Sequence, residues 1–257
     1  MPAQSALIVL TMPTTRPQKN KHILAFDKYF SNDVIAFTSD RTVDFSRQGD
    51  APSLTAEQKH FLSRQADVKI SRLPHIKQIH GKRIIVVKRF SCVGTRYPLK
   101  ADGLITNVAG VPLTIRTADC LSIFLFDPKN KAVGLVHAGW RGTQKNITAH
   151  AVRSMMKKWR TNPKDLKVVF GPSIRSCCYE VSAKFKEYFP RETRRRGRRF
   201  FLDLSFVNKR QLLALGVKKK NIFDCKVCTC CNPKFFSYRR EGEKAGRMIS
   251  LLMLKPS

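Results

Sequence analysis

Long apolar runs are missing from this 257-residue sequence, which has no apolar stretch of 18 or more residues. A helix needs about that length to cross a bilayer. The apolar segment Ala6–Met12 is short, lacks a basic lead-in and is followed by Pro13, unlike a signal peptide. These absences predict no membrane partner and favour a cytoplasmic location.

Acidic residues are scarce, since 18 aspartates and glutamates stand against 49 lysines and arginines, a formal net charge of +31. The densest basic runs are 191–199 and 218–220. A surface of this kind attracts polyanions, so a basic nucleic-acid-binding module is one alternative function. No aromatic recognition motif accompanies these runs, and charge alone predicts only non-specific contact with nucleic acid.

Eight cysteines in a chain of this length do not form the dense framework of a small secreted disulfide protein. Four of them crowd into 225–231, and Cys177 and Cys178 are adjacent elsewhere. A structural metal site is one interpretation, but no second paired C-x-x-C at zinc-finger spacing completes it. The preferred interpretation is reduced, packed thiols in a reducing compartment.

Two apolar runs, 121–126 and 132–136, flank the turn segment Asp127–Lys131 and predict a β-hairpin. With Asp127 opposite Ala132, Ser122 lies opposite His137. Cys120 then shares a face with Ser122, and lies diagonally across from His137 at about 7 Å between Cβ atoms. A slip of one residue would place the two side chains on opposite faces.

A thiol beside an imidazole has three interpretations: two metal ligands, a nucleophile with its base, or packing without chemistry. Polar neighbours such as Asp119 and Arg141 favour chemistry over packing. His80, which precedes a strand-like segment, is a third candidate ligand. Two histidines and one cysteine would leave one tetrahedral position open, as in catalytic zinc sites.

Strand patterns pervade the chain and predict a mixed α/β (α+β) fold of layered sheets flanked by helices. Residues 1–22 are expected to form a loose leader, and 23–257 a single domain. Helices are predicted over 55–62 with Ser53 as a possible cap, from Gly142 to Trp159, over 181–189 and over 208–215. The basic run 191–199 is predicted to be a loop, and 235–239 and 247–254 a terminal hairpin.

Arg141 lies beside the start of the second predicted helix. Backbone N–H groups at a helix start attract anions, so this arginine is a candidate for binding phosphate or a substrate carboxylate. A structural ion pair at the sheet edge is the competing interpretation.

Six motifs occur here in the order that one protein family shows: Gln78–Gly81, Ala101–Thr106, Thr117–Cys120, His137–Gly142, Gly171–Ile174 and Phe235–Arg240. The sequence resembles the laccase-domain, polyphenol-oxidase-like purine nucleoside phosphorylases, also called peptidoglycan editing factor. The resemblance spans about residues 33 to 254.

This resemblance implies that His80, Cys120 and His137 are metal ligands, for zinc or for copper. It implies phosphorolysis of adenosine, inosine or methylthioadenosine, deamination of adenosine, and an internally duplicated fold. Gln78, Asp102 and Asp119 flank the ligands and are expected to contact substrate or support the ligands. Arg41 resembles the arginine of a family Phe-Ser-x-Arg pattern, although the segment after it departs from the family.

The resulting hypothesis is a metal-dependent enzyme acting on purine nucleosides and phosphate, with Cys120, His137 and Arg141 as catalytic residues. Water activated by zinc would account for deamination at C6 of adenine, whereas Arg141 would bind phosphate for phosphorolysis. A metal-free cysteine hydrolase or amidase on a peptidoglycan precursor, and a copper polyphenol oxidase, are the enzymatic alternatives. The oligomeric state is left open.

Overall fold

The computed structural model describes residues 21–46, 54–70, 73–74, 76–88 and 98–256. Most of the expected leader, residues 1–20, lies outside these ranges, so the predicted division at residue 22 stays a prediction. In chain order the strands are β1 (Ile23–Ala25), β2 (Val34–Ser39), β3 (Ile76–Lys77), β4 (Ile84–Val86), β5 (Leu99–Lys100), β6 (Gly103–Thr106), β7 (Leu113–Thr117), β8 (Leu121–Asp127), β9 (Ala132–Ala138), β10 (Lys167–Phe170), β11 (Glu180–Val181), β12 (Thr193–Arg196), β13 (Arg199–Leu202), β14 (Ile222–Asp224) and β15 (Met248–Leu254). The α-helices are α1 (Ala56–Ala66), α2 (Trp140–Gln144), α3 (Ile147–Trp159), α4 (Phe185–Tyr188), α5 (Leu204–Ala214) and α6 (Tyr238–Glu241).

Two sheets pack face to face at the centre of the molecule. One has the strand order β1-β2-β15-β7 and the other β14-β10-β8-β9-β6-β4. Apolar side chains from both sheets form the layer between them, and helices α3 and α5 cover the outer face of the larger sheet. Helix α1 covers the outer face of the smaller sheet. This layered, mixed α/β architecture confirms the predicted fold class, whereas the internal duplication stays a prediction.

Strand β8 shows how the sequence divides its side chains between these layers. Leu121, Ile123 and Leu125 join the core beneath α3 and α5, while Phe124 and Phe126 join the core between the sheets. Both faces of the strand are buried, so its sequence is a continuous apolar run. His137 shares the face of Val133 and Leu135 on β9, and therefore points toward the layer between the sheets.

The β8–β9 hairpin has the predicted register. Asp127 pairs with Ala132 and Ser122 pairs with His137. Asp127 also orders the turn, because its carboxylate accepts hydrogen bonds from the backbone N–H groups of Lys129 and Asn130. The register that brings Cys120 and His137 to one face is confirmed.

The cap of α1 and the continuity of the second helix differ from the predictions. Ser53 lies outside the described residues, and the N-cap is Thr55, which forms a capping box with Gln58. The helix predicted from Gly142 to Trp159 is divided between α2 and α3. Asn146 causes the division, because its left-handed backbone (φ 57°) interrupts the helical path.

Three further predictions are wrong in the C-terminal half. The segment 181–189 begins as strand β11 and is helical only over α4, and the basic run forms the hairpin β12–β13 with Gly197 at its turn. The segment 235–239 is not a strand, because Ser237 caps the short helix α6. Strand β15 therefore pairs with β2 and β7 instead of forming a terminal hairpin. None of the helices in the described residues has the length and hydropathy needed to cross a membrane.

Candidate functional site

The segment that carries His80 is held by one buried carboxylate. Asp102 accepts hydrogen bonds from the backbone N–H groups of Ile79, His80 and Gly81, at 2.9 Å from His80 and 2.7 Å from Gly81. His80 has a left-handed backbone (φ 55°), a conformation that non-glycine residues adopt only when their surroundings hold them in it. The three hydrogen bonds supply that restraint and present the exposed His80 ring at the rim of the site.

The same carboxylate orients His137. Asp102 Oδ1 lies 2.9 Å from Nδ1 of His137, and both side chains are buried. With Nδ1 donating to Asp102, Nε2 of the imidazole is free to bind an ion or a proton. Burial raises the pKa of Asp102, but hydrogen bonds from His137 and from the Gly81 backbone outweigh it and lower that pKa below its ordinary value.

His80, Cys120 and His137 converge, with one ligand atom from each lying within 4.8 Å of the others. Burial opposes ionisation of Cys120, yet the charge and hydrogen bonding of His137 and His80 lower its pKa to about 6. Burial likewise opposes protonation of His137, but Cys120 and Asp102 raise its pKa to about 9. The two groups stabilise each other as a thiolate and an imidazolium, so the site offers a soft anionic ligand near neutral pH.

Gly139 lies next to His80 and Cys120 of the cluster. A Cβ atom built on this residue would lie 3.0 Å from Cδ2 of His80 and 3.1 Å from Sγ of Cys120. Its backbone dihedrals (φ −73°, ψ 171°) are accessible to any residue, so glycine is required here for space and not for conformation. The missing side chain leaves room for the ligand atoms to approach one another.

This donor set fits a single metal ion. Imidazole nitrogens and a thiolate are ligands of zinc, and three protein ligands leave one coordination position open. Electron transfer through several copper ions needs further histidine clusters. Among the described residues, this is the only group of candidate ligands that contains histidine.

A cavity of about 710 Å³ opens over the cluster, within the usual range for small-molecule sites. Four arginines line it, namely Arg116, Arg141, Arg239 and Arg247, and the other lining residues that bear on its chemistry are Gln78, Trp140, Tyr179 and Tyr238. Of its described lining residues only Asp119 is acidic. The cavity is therefore suited to an anionic ligand.

Arg141 was a predicted site residue, whereas the other three arginines and Tyr179 were not predicted from the sequence. Arg141 is exposed, lies over the Trp140 ring at 4.4 Å, and takes part in none of the ion pairs found among the described residues. Arg239 is fixed by the carbonyls of Glu180 (2.8 Å) and Cys178 (3.5 Å). In the sequence, Arg239 stood out only as part of the family motif Phe235–Arg240, and that segment was predicted to be a strand.

Gln78 and Asp119 line the cavity, but their polar groups are engaged by the protein. The side chain of Gln78 exchanges two hydrogen bonds of 2.8 Å with the backbone of Arg116. The Asp119 carboxylate accepts from the hydroxyls of Thr229 and Ser237 and from the Arg239 N–H. Gln78 thereby holds the backbone of Arg116 in place, and Asp119 holds that of Arg239.

Asp102 and Arg41 do not reach the cavity surface. The Asp102 carboxylate is buried behind the histidines that it orients. Arg41 forms an ion pair with Glu241 at 3.1 Å and lies over the ring of Phe236, and it is not among the residues that line the cavity.

Comparison with known proteins confirms the resemblance. A family model described as "Multi-copper polyphenol oxidoreductase laccase" matches residues 41–255. A protein of Aquifex aeolicus named purine nucleoside phosphorylase is 37% identical over 157 residues, covering 61% of this chain and 73% of that protein. A protein of Mus musculus with a name of the same kind is 31% identical over 220 residues, covering 82% of this chain and 50% of that protein. This chain thus spans half the length of the mouse relative.

The fold is also similar to that of solved structures. The crystal structure of YlmD from Geobacillus stearothermophilus matches with a TM-score of 0.82 at 28% identity, over 93% of this chain and 98% of that one. A Bacillus licheniformis protein, YfiH, matches with a TM-score of 0.80 at 26% identity, over 91% and 97% of the two chains.

Proposed function

This chain belongs to the family described as multi-copper polyphenol oxidoreductase laccase, and we propose that it catalyses the phosphorolysis of purine nucleosides. The observation that carries this proposal is the meeting, in one cavity, of the His80–Cys120–His137 cluster and four arginines. Relatives named purine nucleoside phosphorylase support the same reaction.

Phosphate binding is the task of Arg141 and Arg239. Both arginines line the cavity, and the charges of both guanidinium groups act on the hydroxyl of Tyr179. The guanidinium group donates in a planar fork that matches phosphate oxygens, and hydrogen bonds between charged groups are stronger than neutral ones. Arg141 is exposed, so its donors can turn toward an entering phosphate.

Tyr179 is suited to hydrogen bonding with the nucleoside. Burial, with the nearby charge of Cys120, raises the pKa of its phenol above the ordinary value, so the group stays protonated and acts as a donor. Ile174 and Leu204 add apolar side chains to the lining of the same cavity.

Phosphorolysis suits this set of side chains. An oxygen of inorganic phosphate forms a bond to C1′ of the ribose while the bond from C1′ to N9 breaks, and the electron pair leaves with the purine, which takes up a proton. The nucleophile is inorganic phosphate, which is already an anion, so no free carboxylate of the protein is needed to activate it. A zinc ion held by His80, Cys120 and His137 would supply Lewis acidity beside these groups.

Deamination of adenosine is the second candidate, favoured by the open ligand set of the cluster. Known zinc deaminases use a glutamate as general acid and base. No glutamate is found among the described residues that line this cavity. Phosphorolysis is for this reason the primary proposal.

A cysteine hydrolase is the rival that the geometry also supports. Cys120, His137 and Asp102 stand in the order of a nucleophile, its base and the group that orients the base. Removal of the metal separates the two: a cysteine hydrolase stays active without metal until Cys120 is alkylated, whereas a metal enzyme loses activity and regains it only when zinc returns to an unmodified thiol.

The deciding experiment is product analysis by chromatography after incubation of metal-quantified protein with adenosine, with and without inorganic phosphate. Adenine and ribose 1-phosphate formed only with phosphate support the proposal, while inosine formed in both samples reports deamination. Absence of both adenine and hypoxanthine under both conditions, from protein carrying stoichiometric metal, contradicts it. His137→Ala should abolish whichever reaction occurs, and Lys158→Ala, on the exposed last turn of α3, controls for loss of a positive charge.

A further inference from the structure

A second cluster of potential ligands is formed by Cys177, Cys178, Cys228 and Cys231, next in the chain to the cavity-lining residue Tyr179. Their four sulfur atoms all lie within 4.8 Å of one another. Sγ of Cys231 is 3.2 Å from Sγ of Cys178 and 3.5 Å from Sγ of Cys177. The function proposed above makes no use of these residues.

Backbone pairing brings the two halves of this group together. Ser173 and Cys228 form a parallel β-bridge, in which the Ser173 N–H donates to the carbonyl of Val227 and the Thr229 N–H donates to that of Ser173. The turn that holds Cys177 and Cys178 follows the first segment, and the C-x-x-C of Cys228 and Cys231 follows the second. The juxtaposition is therefore set by main-chain hydrogen bonds and does not depend on the sulfur atoms.

The environment of Cys228 suits a ligating thiolate. The backbone N–H groups of Cys231, Arg175 and Cys230 are directed at its sulfur. Backbone N–H groups directed at a sulfur stabilise it as an anion, with or without a bound ion.

The spacing of the sulfur atoms separates a metal site from a disulfide. A disulfide holds its sulfurs about 2 Å apart. Four sulfurs each about 2.3 Å from a tetrahedral zinc ion lie about 3.8 Å from one another. The 3.2 Å and 3.5 Å separations lie much nearer the second value, and Cys231 approaches two partners at once, which one disulfide does not satisfy.

We propose that Cys177, Cys178, Cys228 and Cys231 bind one structural zinc ion. Four thiolates fill all positions of a tetrahedral site and leave none open for substrate, which is the arrangement of structural zinc. Cys225 is not part of the group. It packs against the core between the two sheets, so the interpretation as a packed thiol applies to this cysteine.

The proposed ion would stiffen one wall of the cavity. Tyr179 follows Cys178 directly in the chain, and Arg239 is held by the carbonyls of Cys178 and Glu180. A link between Cys178 and the C-x-x-C segment would thus hold both cavity-lining side chains in place. The site is independent of the reaction catalysed in the cavity, so its test does not rest on the proposed function.

Metal analysis of purified variants tests the site directly. Cys177→Ser and Cys231→Ser should each lower the zinc content by one ion per chain relative to the parent protein, and the matched variant Cys225→Ser should leave it unchanged. Cys120→Ser reports the other cluster, and its combination with Cys231→Ser should lose both ions. Zinc content equal to that of the parent in both Cys177→Ser and Cys231→Ser overturns the proposal, and so does iron in place of zinc.

A measurement on Cys120→Ser keeps the test valid if the other variants fail to fold. Titration of this protein with an organomercurial, in the presence of a zinc-sensitive dye, should release one zinc ion as four thiols react. Cobalt(II) exchanged into the same protein should show the intense visible bands and sulfur-to-metal charge transfer of tetrahedral thiolate coordination. Thiols that react without release of zinc, or that are found as disulfides in protein purified under reducing conditions, overturn the proposal.

Discussion

Asp102 and His137 are joined twice, through a hydrogen bond of 2.9 Å between the carboxylate and Nδ1, and through one of 2.7 Å from the His137 N–H to the Asp102 carbonyl. Because the same carboxylate holds the His80 backbone, one buried residue positions two of the three residues of the ligand cluster.

Asp102→Asn should weaken zinc binding by about 10- to 100-fold, because an amide cannot accept from three backbone N–H groups and the imidazole together as a carboxylate does. Competition with a chromophoric chelator measures the affinity. Asp127→Asn is the matched control, since Asp127 is also buried and accepts backbone N–H groups, but lies at the turn of the β8–β9 hairpin, at the opposite end from Cys120 and His137. Equal zinc affinity in Asp102→Asn and the parent protein would contradict the positioning role.

Gly139→Ala should weaken zinc binding at the cluster with little loss of folding stability, because the backbone accepts alanine while the new methyl group would displace His80 or Cys120 by a few tenths of an ångström. Metal content and urea denaturation measure the two effects. Gly134→Ala on the same hairpin is the control: its Cβ would meet apolar atoms of Ile105 and Leu125 at 3.1 and 3.3 Å. That variant should shift stability and retain the metal.

Arg141→Ala should raise the KM for phosphate by roughly tenfold or more, as expected for loss of a hydrogen bond between charged groups worth about 1.5–3 kcal/mol. The KM for the nucleoside should change much less. Initial rates at varied phosphate and saturating nucleoside give the answer, with Lys158→Ala as the control for net charge. An unchanged dependence on phosphate in Arg141→Ala removes this arginine from the phosphate site.

The destabilisation caused by Asp127→Asn should be largest near neutral pH and shrink in acid. Burial raises the pKa of Asp127, but hydrogen bonds including those from Asn130 and Lys129 lower it below its ordinary value. A carboxyl with a lowered folded-state pKa adds stability above its unfolded pKa, and that stability is lost as the pH falls through the folded value. Urea unfolding from pH 7 downward should show the two curves converging below about pH 4. A constant difference across this range would be inconsistent with the lowered pKa.

Much of the site was predictable where short-range patterns decide the structure. The turn at Pro128–Lys131 and the two-residue repeat of the strands determine which residues face each other, so the pairing of Ser122 with His137 follows from local sequence. The motif around His80 identified the third member of the cluster, although no spacing rule places it beside Cys120.

Predictions failed where distant residues override local preference. The segment 235–239 has a strand-like composition, yet Ser237 and Arg239 donate to Asp119, more than a hundred residues away in the chain, and the segment turns into α6. The basic run 191–199 was predicted to be a loop. It forms a strand instead, as β12 pairs along its length with β13, whose Phe200 and Phe201 have high strand preference.

The sequence by itself determined the strand pattern and the hairpin register, because apolar periodicity is a property of neighbouring residues, and its ordered motifs singled out His80, Cys120 and His137 as candidate ligands. The tertiary structure alone decided that four arginines share one cavity, that Asp102 supports both histidines, and that Cys177 and Cys178 meet Cys228 and Cys231. Those contacts join segments far apart in the chain. Their geometry depends on how the sheets stack and pair, which no local pattern of side chains encodes.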